Sequence, residues 1–320
     1  MRVVRLHAYG EAEELRLEHA PDPAPGEGQV LIDVEAAGVH VIETRLRRGG
    51  AVGPHEPPRL PVVLGGEVAG VVAAVGDGVA GDWVGRRVLA DVNGGYAERA
   101  VADVGSLRAV PDGVGSAVAV AMDSTGATTL GLLDQAALTP GDVLLVLSAA
   151  GGIGGLAVQA AVRAGVTVVG AAGGPEKAAR VSALGAAFAV DYRDPGWTDR
   201  VRAALGGRRV SVVFDGVGGT TGRQALELLG PGGRILLYGW SSGEPTRLDT
   251  ADLIERQLGA TWALNPRMLG NWAELRARAL REAAADRLVP LISRFPLEQA
   301  ARAHAALEER TVQGKVVLLP

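Results

Sequence analysis

Six residues, Ala149-Ala150-Gly151-Gly152-Ile153-Gly154, stand between an apolar run and an alanine-rich one, and their spacing suits the holding of a pyrophosphate by backbone alone. Gly151 lets the main chain approach the phosphates, and Gly154 lets a following helix pack close to the preceding strand. The amides of Ala150, Gly151, Gly152, Ile153 and Gly154 are then expected at a helix N-terminus, where the dipole favours negative charge. Ala149 replaces the glycine that usually opens such a turn. A tight turn with no ligand is the bland alternative. An acidic side chain roughly 20 residues further on normally binds the adenosine ribose hydroxyls. Here that place reads Gly170-Ala171-Ala172-Gly173-Gly174, with no carboxylate. Beside Gly173, Lys177 and Arg180 on the next helix and Tyr192 after the third strand can face a 2′-phosphate instead, which selects NADP(H) over NAD(H). On the bland reading Lys177 is an exposed helix lysine and Tyr192 a strand-end aromatic. Two later turns belong by position to the same expected site, one holding Gly216 and Val217, the other Tyr238, Gly239 and Ser241. Ligands of open α/β sheets lie outside the carboxyl ends of the strands, although a glycine after a strand is also an ordinary turn device.

Positioning these turns requires a parallel sheet. From about residue 123 onward, apolar runs alternate with helix-spaced segments, the pattern of right-handed βαβ crossovers. Strands are expected at 143–148, 167–171, 187–191, 210–215, 234–238 and 260–264, enough for a complete doubly wound sheet. Residues before about 110 carry short β-like runs broken by Gly, Pro and Asp, the pattern of an irregular β-rich domain. Helices at 272–285 and 297–309 and a last strand at 315–319 are expected to return to it. The fold class is therefore α/β: a Rossmann dinucleotide-binding domain over 123–264, and a β-rich catalytic domain formed by 1–122 with 265–320.

Bulk properties narrow the function. With 320 residues and 48% hydrophobic composition, the chain can bury a large core in about two domains. A net charge of −4 without long basic runs gives no footprint for nucleic acid or an anionic membrane, and Arg45, Arg47 and Arg48 read as a solvated cluster. No basic-flanked apolar leader opens the sequence and its apolar stretches fall short of a membrane span, so a cytoplasmic location is the default expectation. The absence of cysteine excludes disulfides, cysteine-ligated zinc and cysteine nucleophiles. His7, His19, His40, His55 and His304 are scattered without ligand spacing.

Seven segments, taken in order, resemble the medium-chain dehydrogenase/reductase superfamily, and within it the zinc-independent quinone oxidoreductases similar to zeta-crystallin. They are AAGVHVIETRLRRGG (36–50), LPVVLGGEVAGVVAAVG (60–76), GDWVGRRV (81–88), GGYAE (94–98), GATTLGLL (126–133), SAAGGIGGLAVQ (148–159) and GKVVL (314–318). The resemblance implies that the β-rich domain is GroES-like, a partly open barrel completed by the C-terminal segment, with a nicotinamide cleft between it and the sheet domain. Zinc-dependent relatives carry an early ligand Cys and a His in a Gly-His-Glu triplet, whereas this chain has Gly65-Gly66-Glu67 and no cysteine. Glu67 is read as a residue that holds a loop by hydrogen bonds.

Quinone reductases typically show Gly-Val-Asn where this chain has Gly38-Val39-His40, and that Asn lies near nicotinamide and substrate. A histidine there can donate a proton, or it can only orient the cofactor. His40 is accordingly a candidate for both catalysis and cofactor binding. Arg45 falls where relatives often place an aromatic beside the substrate opening, and Thr128 is carried over as a hydrogen-bond partner of the cofactor; a helix threonine bonded to its own backbone is the alternative. Asn265, after the sixth expected strand, is a third candidate for steadying the reduced acceptor. The implied reaction is hydride transfer from NADPH to a quinone or a related α,β-unsaturated carbonyl, without metal, the protein supplying orientation and a donor for the developing oxyanion. An enoyl-thioester or alkenal reductase is the alternative enzyme, and a non-catalytic NADPH sensor or structural protein the alternative of another class. The expected partners are a small-molecule substrate and a second copy of the chain, with the 260–264 strand as the pairing edge.

Overall fold

The run Val143–Leu147 is apolar at every position, and each of its side chains is buried. Such a strand is stable only with cover on both faces, and the surrounding sheet supplies it. In the computed structural model, which describes residues 1–51 and 55–320, six parallel strands lie in the order Phe188–Asp191, Thr167–Ala172, Val143–Leu147, Val210–Asp215, Leu229–Leu237, Gly259–Trp262. This is the 3-2-1-4-5-6 order of a doubly wound sheet. Leu144, Val146, Val168, Val212 and Phe214 pack into one core, and Val143, Leu145, Leu147, Val169, Val213 and Ile235 into a second. The alternation within each strand thus fills two layers, one per face.

The second compact unit comprises Met1–Ser124, Leu280–Asp286 and Ile292–Pro320. Its central strand, Gln29–Val39, pairs antiparallel with Glu67–Val75, with Arg99–Asp103 and with Lys315–Leu319. Glycine makes the first of these pairings possible. A Cβ on Gly70 would lie 2.0 Å from the carbonyl oxygen of Asp33. Ile32, Val34, Val68, Val72, Val88, Tyr96 and Val316 form the core of this unit. The last strand therefore returns to the β-rich unit as expected. The sheet unit, Thr125–Ala279 with Arg287–Leu291, extends past the expected boundary at 264. Side chains within it explain the difference: Asn265 Nδ2 donates to Gln135 Oε1 at 2.8 Å, Arg278 Nη1 to Asp134 at 2.8 Å, and Val289 N to Gln159 Oε1 at 3.0 Å. Among the described residues, no helix is long and apolar enough to cross a membrane.

Candidate active site

In the sheet unit the turn after Val143–Leu147 runs through Ser148, at φ 54°, to Gly151, and the helix Gly152–Arg163 begins there with no side chain capping it. The first amides of that helix have no intrahelical acceptor by construction and are left for an anion. Gly154 must lack a side chain, because a Cβ would sit 2.3 Å from the Ser148 carbonyl oxygen and 2.9 Å from Ala149 Cα. At Gly151 the same test gives 3.0 Å to Ser148 Oγ, so this glycine relieves its own turn as well as clearing the approach. Ala149 is accommodated because its neighbour is Gly170, where a Cβ would meet Ala149 Cβ at 3.2 Å. The residues fit a dinucleotide pyrophosphate.

The other sheet-unit candidates gather at the same strand ends. A Cβ on Gly216 would strike the Tyr238 ring at 2.4 Å, and Tyr238 Oη lies 3.5 Å from the Leu147 carbonyl oxygen. Burial pushes the Tyr238 phenol above its ordinary range, with Asp215 and Tyr192 adding to the shift, so it stays a neutral hydroxyl. Ser241 N donates to Gly216 O at 3.0 Å, which sets the Gly216-Val217 and Gly239–Ser241 turns side by side. Buried Asp215 accepts from Val217 N at 2.8 Å and Gly218 N at 2.9 Å, and so anchors this turn. Around Gly173, Tyr192 Oη is 3.1 Å and Arg193 Nε 3.2 Å from where a Cβ would lie. Lys177 stands half-buried on the helix Pro175–Ala183. Arg193 is an addition that sequence reasoning missed. A carboxylate is also nearby, since Asp191 Oδ1 accepts from Gly174 N at 2.8 Å and from Arg193 N at 2.9 Å, two amides that share its charge.

Asn265 has a different role from the one expected. Its Oδ1 accepts from Met268 N at 3.1 Å as the N-cap of the helix Pro266–Gly270, and its Nδ2 donates to Gln135 and to Trp262 O. With its amide committed on both sides, it is a helix cap and not a donor to substrate. Thr128 is buried on the helix Ser124–Ala136.

In the β-rich unit, register creates a charged cluster. Ala37 pairs with Val68 and Val316 with Val39, so the start of Glu67–Val75 and the start of Lys315–Leu319 both meet the end of Gln29–Val39. Gly38 makes the room, because a Cβ there would lie 2.2 Å from Glu67 Oε1. Lys315 Nζ is 2.6 Å from Glu67 Oε1 and 2.8 Å from His40 Nε2, and His40 Nε2 is 2.7 Å from the same carboxylate oxygen. Ser124 Oγ donates to Glu67 Oε2 at 2.8 Å. Glu67 therefore holds two strands and a helix start, more than the loop expected of it. Burial on its own would raise the Glu67 carboxyl, but His40 and Lys315 beside it win and hold it well below the usual carboxylate range.

His40 precedes the helix Val41–Arg47, and its backbone N–H donates to Glu43 Oε2 at 2.8 Å. Glu43 accepts in turn from Tyr96 Oη at 2.6 Å, and Tyr96 Oη lies 3.0 Å from His304 Nε2. Burial, with Glu43 beside it, drives the Tyr96 phenol well above its ordinary range. Burial and then Arg47 lower His304 to about 3. Arg45 lies half-buried on the His40 helix. Arg47, expected at a solvated face, is instead buried and donates to Gly10 O at 2.9 Å and Glu308 Oε1 at 2.6 Å.

Two family models match the chain, an alcohol dehydrogenase GroES-like domain over residues 26–147 and a zinc-binding dehydrogenase over 152–282. The residues present do not fit the zinc ion of the second description. There is no cysteine, Gly66 precedes Glu67, and the Lys315 ammonium stands against both Glu67 and His40. Among the described residues, no group of three His, Asp or Glu side chains is placed to hold a metal. A quinone oxidoreductase of Pseudomonas aeruginosa is 34% identical over 330 residues, 99% of each chain. A 2-haloacrylate reductase of a Burkholderia species is 31% identical over 98% of each. A solved mycobacterial structure complexed with NADPH, 34% identical, superposes with a TM-score of 0.86 over 100% of both chains. The chain is thus an oxidoreductase that belongs to the quinone oxidoreductase family of the medium-chain dehydrogenase/reductase superfamily.

Proposed function

We propose that the protein reduces a quinone or a related α,β-unsaturated carbonyl with NADPH, without a metal. The similarity to quinone oxidoreductases over both units carries this reading, and the uncapped glycine turn at Gly151–Gly154 supports it from the chain's own geometry. NADPH, when bound, supplies the hydride. The start of the helix Gly152–Arg163 holds the pyrophosphate, assisted by the Gly216-Val217 and Gly239–Ser241 turns and by Thr128. Lys177, Tyr192 and Arg193 select the 2′-phosphate, since no side-chain carboxylate ends the strand Thr167–Ala172. His40 acts as proton donor to the oxygen that gains charge, and Arg45 orients a carbonyl-bearing acceptor.

An activated alkene in place of a quinone is the second reading, favoured by the likeness to the 2-haloacrylate reductase. We also propose a homodimer joined through Gly259–Trp262. That strand is the sheet's edge and exposed throughout, with Trp262 and the nearby Ile254 presenting apolar surface. Light scattering on the purified chain at a range of concentrations tests the dimer, and a monomer throughout refutes it.

The functional reading is tested by following reduced-nicotinamide absorbance with NADPH and NADH against benzoquinones, naphthoquinones and alkenals. Faster NADPH oxidation by quinones is expected. Turnover with alkenals only moves the assignment to the second reading. Saturable NADPH binding with no acceptor turned over would make the protein a sensor or structural member of its family.

A further inference from the structure

The three contacts among Lys315 Nζ, His40 Nε2 and Glu67 Oε1, at 2.6, 2.7 and 2.8 Å, cannot all be hydrogen bonds in one protonation state. Glu67 is ionised and can only accept. His40 Nε2 must carry a proton to donate to Glu67, and must lack one to accept from Lys315. Lys315 Nζ also lies 3.2 Å from His40 Nδ1, so one arrangement has a Lys315 ammonium donating to Glu67 and to the bare ring nitrogen of a neutral His40. The other has His40 as imidazolium bonded to Glu67, with Lys315 as a neutral amine. A single proton moved between Lys315 and His40 interconverts them, and both carry the same net charge.

That equality matters because Lys315 and Glu67 are only 5% and 2% exposed, and a buried site resists any change in net charge. The His40 side chain is more open, at 29% exposed, so the triangle has one face toward solvent and two members shut in. The remaining neighbours are already engaged. Ser124 Oγ holds the other oxygen of Glu67, and Glu43 serves the His40 and Gly66 amides and the Tyr96 hydroxyl. Arg45, on the His40 helix, is the further cation of this end.

We propose that Lys315 is the proton source for His40 during reduction of the acceptor, with Glu67 as the fixed anion that holds the pair together. This rests on the reading of His40 as proton donor. Starting from the Lys315 ammonium and a neutral His40, the one ring N–H bond of His40 breaks as the acceptor's O–H bond forms, while an N–H bond of Lys315 breaks and a new N–H bond forms at the other ring nitrogen, so the ring ends neutral. Lys315 is left as a neutral amine and takes a proton back from solvent through His40. Glu67 stays ionised throughout. Lys315 acts through His40 and is in that sense a positioning and supply residue, not one that touches substrate.

The test uses the full chain labelled with 15N-histidine, and variants Lys315→Met and His40→Asn. With the ammonium removed, the carboxylate of Glu67 alone faces His40, so the ring nitrogen shifts of His40 should differ clearly between wild type and Lys315→Met. The ring nitrogen shifts report this without any turnover. Unchanged His40 ring nitrogen shifts in Lys315→Met overturn the proposal even if quinones are reduced. In the activity arm, Lys315→Met should lower kcat by about 10- to 100-fold with KM little changed and with an altered pH profile. The same substitution in the His40→Asn background should have almost no further effect on kcat, and an equal fall in both backgrounds also overturns it. Absence of any wild-type turnover would instead refute the functional reading while leaving the ring nitrogen shifts to decide the proton linkage.

Discussion

At the start of the helix Gly152–Arg163 the sheet unit offers negative charge only main-chain amides, kept open by Gly154, where a Cβ would strike the Ser148 carbonyl oxygen at 2.3 Å. At the end of the strand Gln29–Val39 the β-rich unit does the reverse, packing an ammonium, a carboxylate and an imidazole within 2.6–2.8 Å of one another. The first arrangement is indifferent to pH and intolerant of volume. The second tolerates isosteric change in shape but not in charge. Binding of a fixed anion suits the former, and movement of a proton suits the latter, because only titratable groups can change state during a reaction.

Removing charge from the second region should have the largest effect. Glu67→Gln preserves shape but leaves the buried Lys315 ammonium without its anion, at a cost of about 3–5 kcal/mol. A fall in melting temperature of roughly 10 °C in the transition of the β-rich unit is expected by calorimetry. A loss within error of zero would mean that Lys315 is already neutral in the native protein.

Removing space from the first region comes next. Gly154→Ala should cost about 1–3 kcal/mol, since the obstructing atoms are backbone, and should weaken NADPH binding more than tenfold as the helix start shifts. Gly155→Ala is the matched control. Its Cβ would meet nothing closer than 3.6 Å, so it should leave affinity unchanged and stability equal or slightly higher. Equal effects at both positions, read by fluorescence titration and thermal melts, would remove steric closeness as the reason for the glycine.

Gly38 joins the two modes, because a steric requirement there protects a charge. Gly38→Ala, with its Cβ 2.2 Å from Glu67 Oε1, should cost about 1–3 kcal/mol in wild type and much less in a Glu67→Ala background. Additive costs in that cycle would show that the backbone, not the carboxylate, sets the requirement.

The buried His304 extends the comparison to pH. Its folded-state pKa of about 3 lies below the ordinary 6.5, so its contribution to stability is complete above 6.5 and is lost as pH falls toward 3. The unfolded chain takes up a proton that the native one refuses, which gives a slope approaching about 1.4 kcal/mol per pH unit. Chemical denaturation from pH 7 to about pH 5 should show this slope in wild type and lack it in His304→Leu. A variant with the wild-type slope would assign the acid sensitivity to other groups.

What is legible in the sequence follows the same division. Glycine spacing, buried strands and helical alanines are local signals, and they locate the nucleotide turn and the six-stranded sheet. His40 is noticed as a departure from a family pattern, but its partners lie 27 and 275 residues away and depend on strand register. Lys315 stands in the GKVVL segment with nothing local to mark its role. Asn265 carried a readable signal in its Asn-Pro pair, the sequence of an N-cap followed by a first helical proline, which outweighs its position after a strand. Arg193 was equally accessible, one residue beyond Tyr192.

Arg193 gives the smallest expected effect and the sharpest reading of the sheet unit. If backbone alone bound the cofactor, NADPH and NADH would bind alike; on the proposed reading any preference for NADPH comes from side chains near Gly173. Arg193 is exposed, so its gain against a 2′-phosphate is screened and should not exceed about 1 kcal/mol. Arg193→Ala should therefore raise the NADPH Kd by about 3- to 5-fold at low salt, less at high salt, and leave the NADH Kd unchanged. A parallel weakening of both would place Arg193 in the support of the Gly173-Gly174 turn, where its own amide already meets Asp191, and would leave Lys177 and Tyr192 to make the selection.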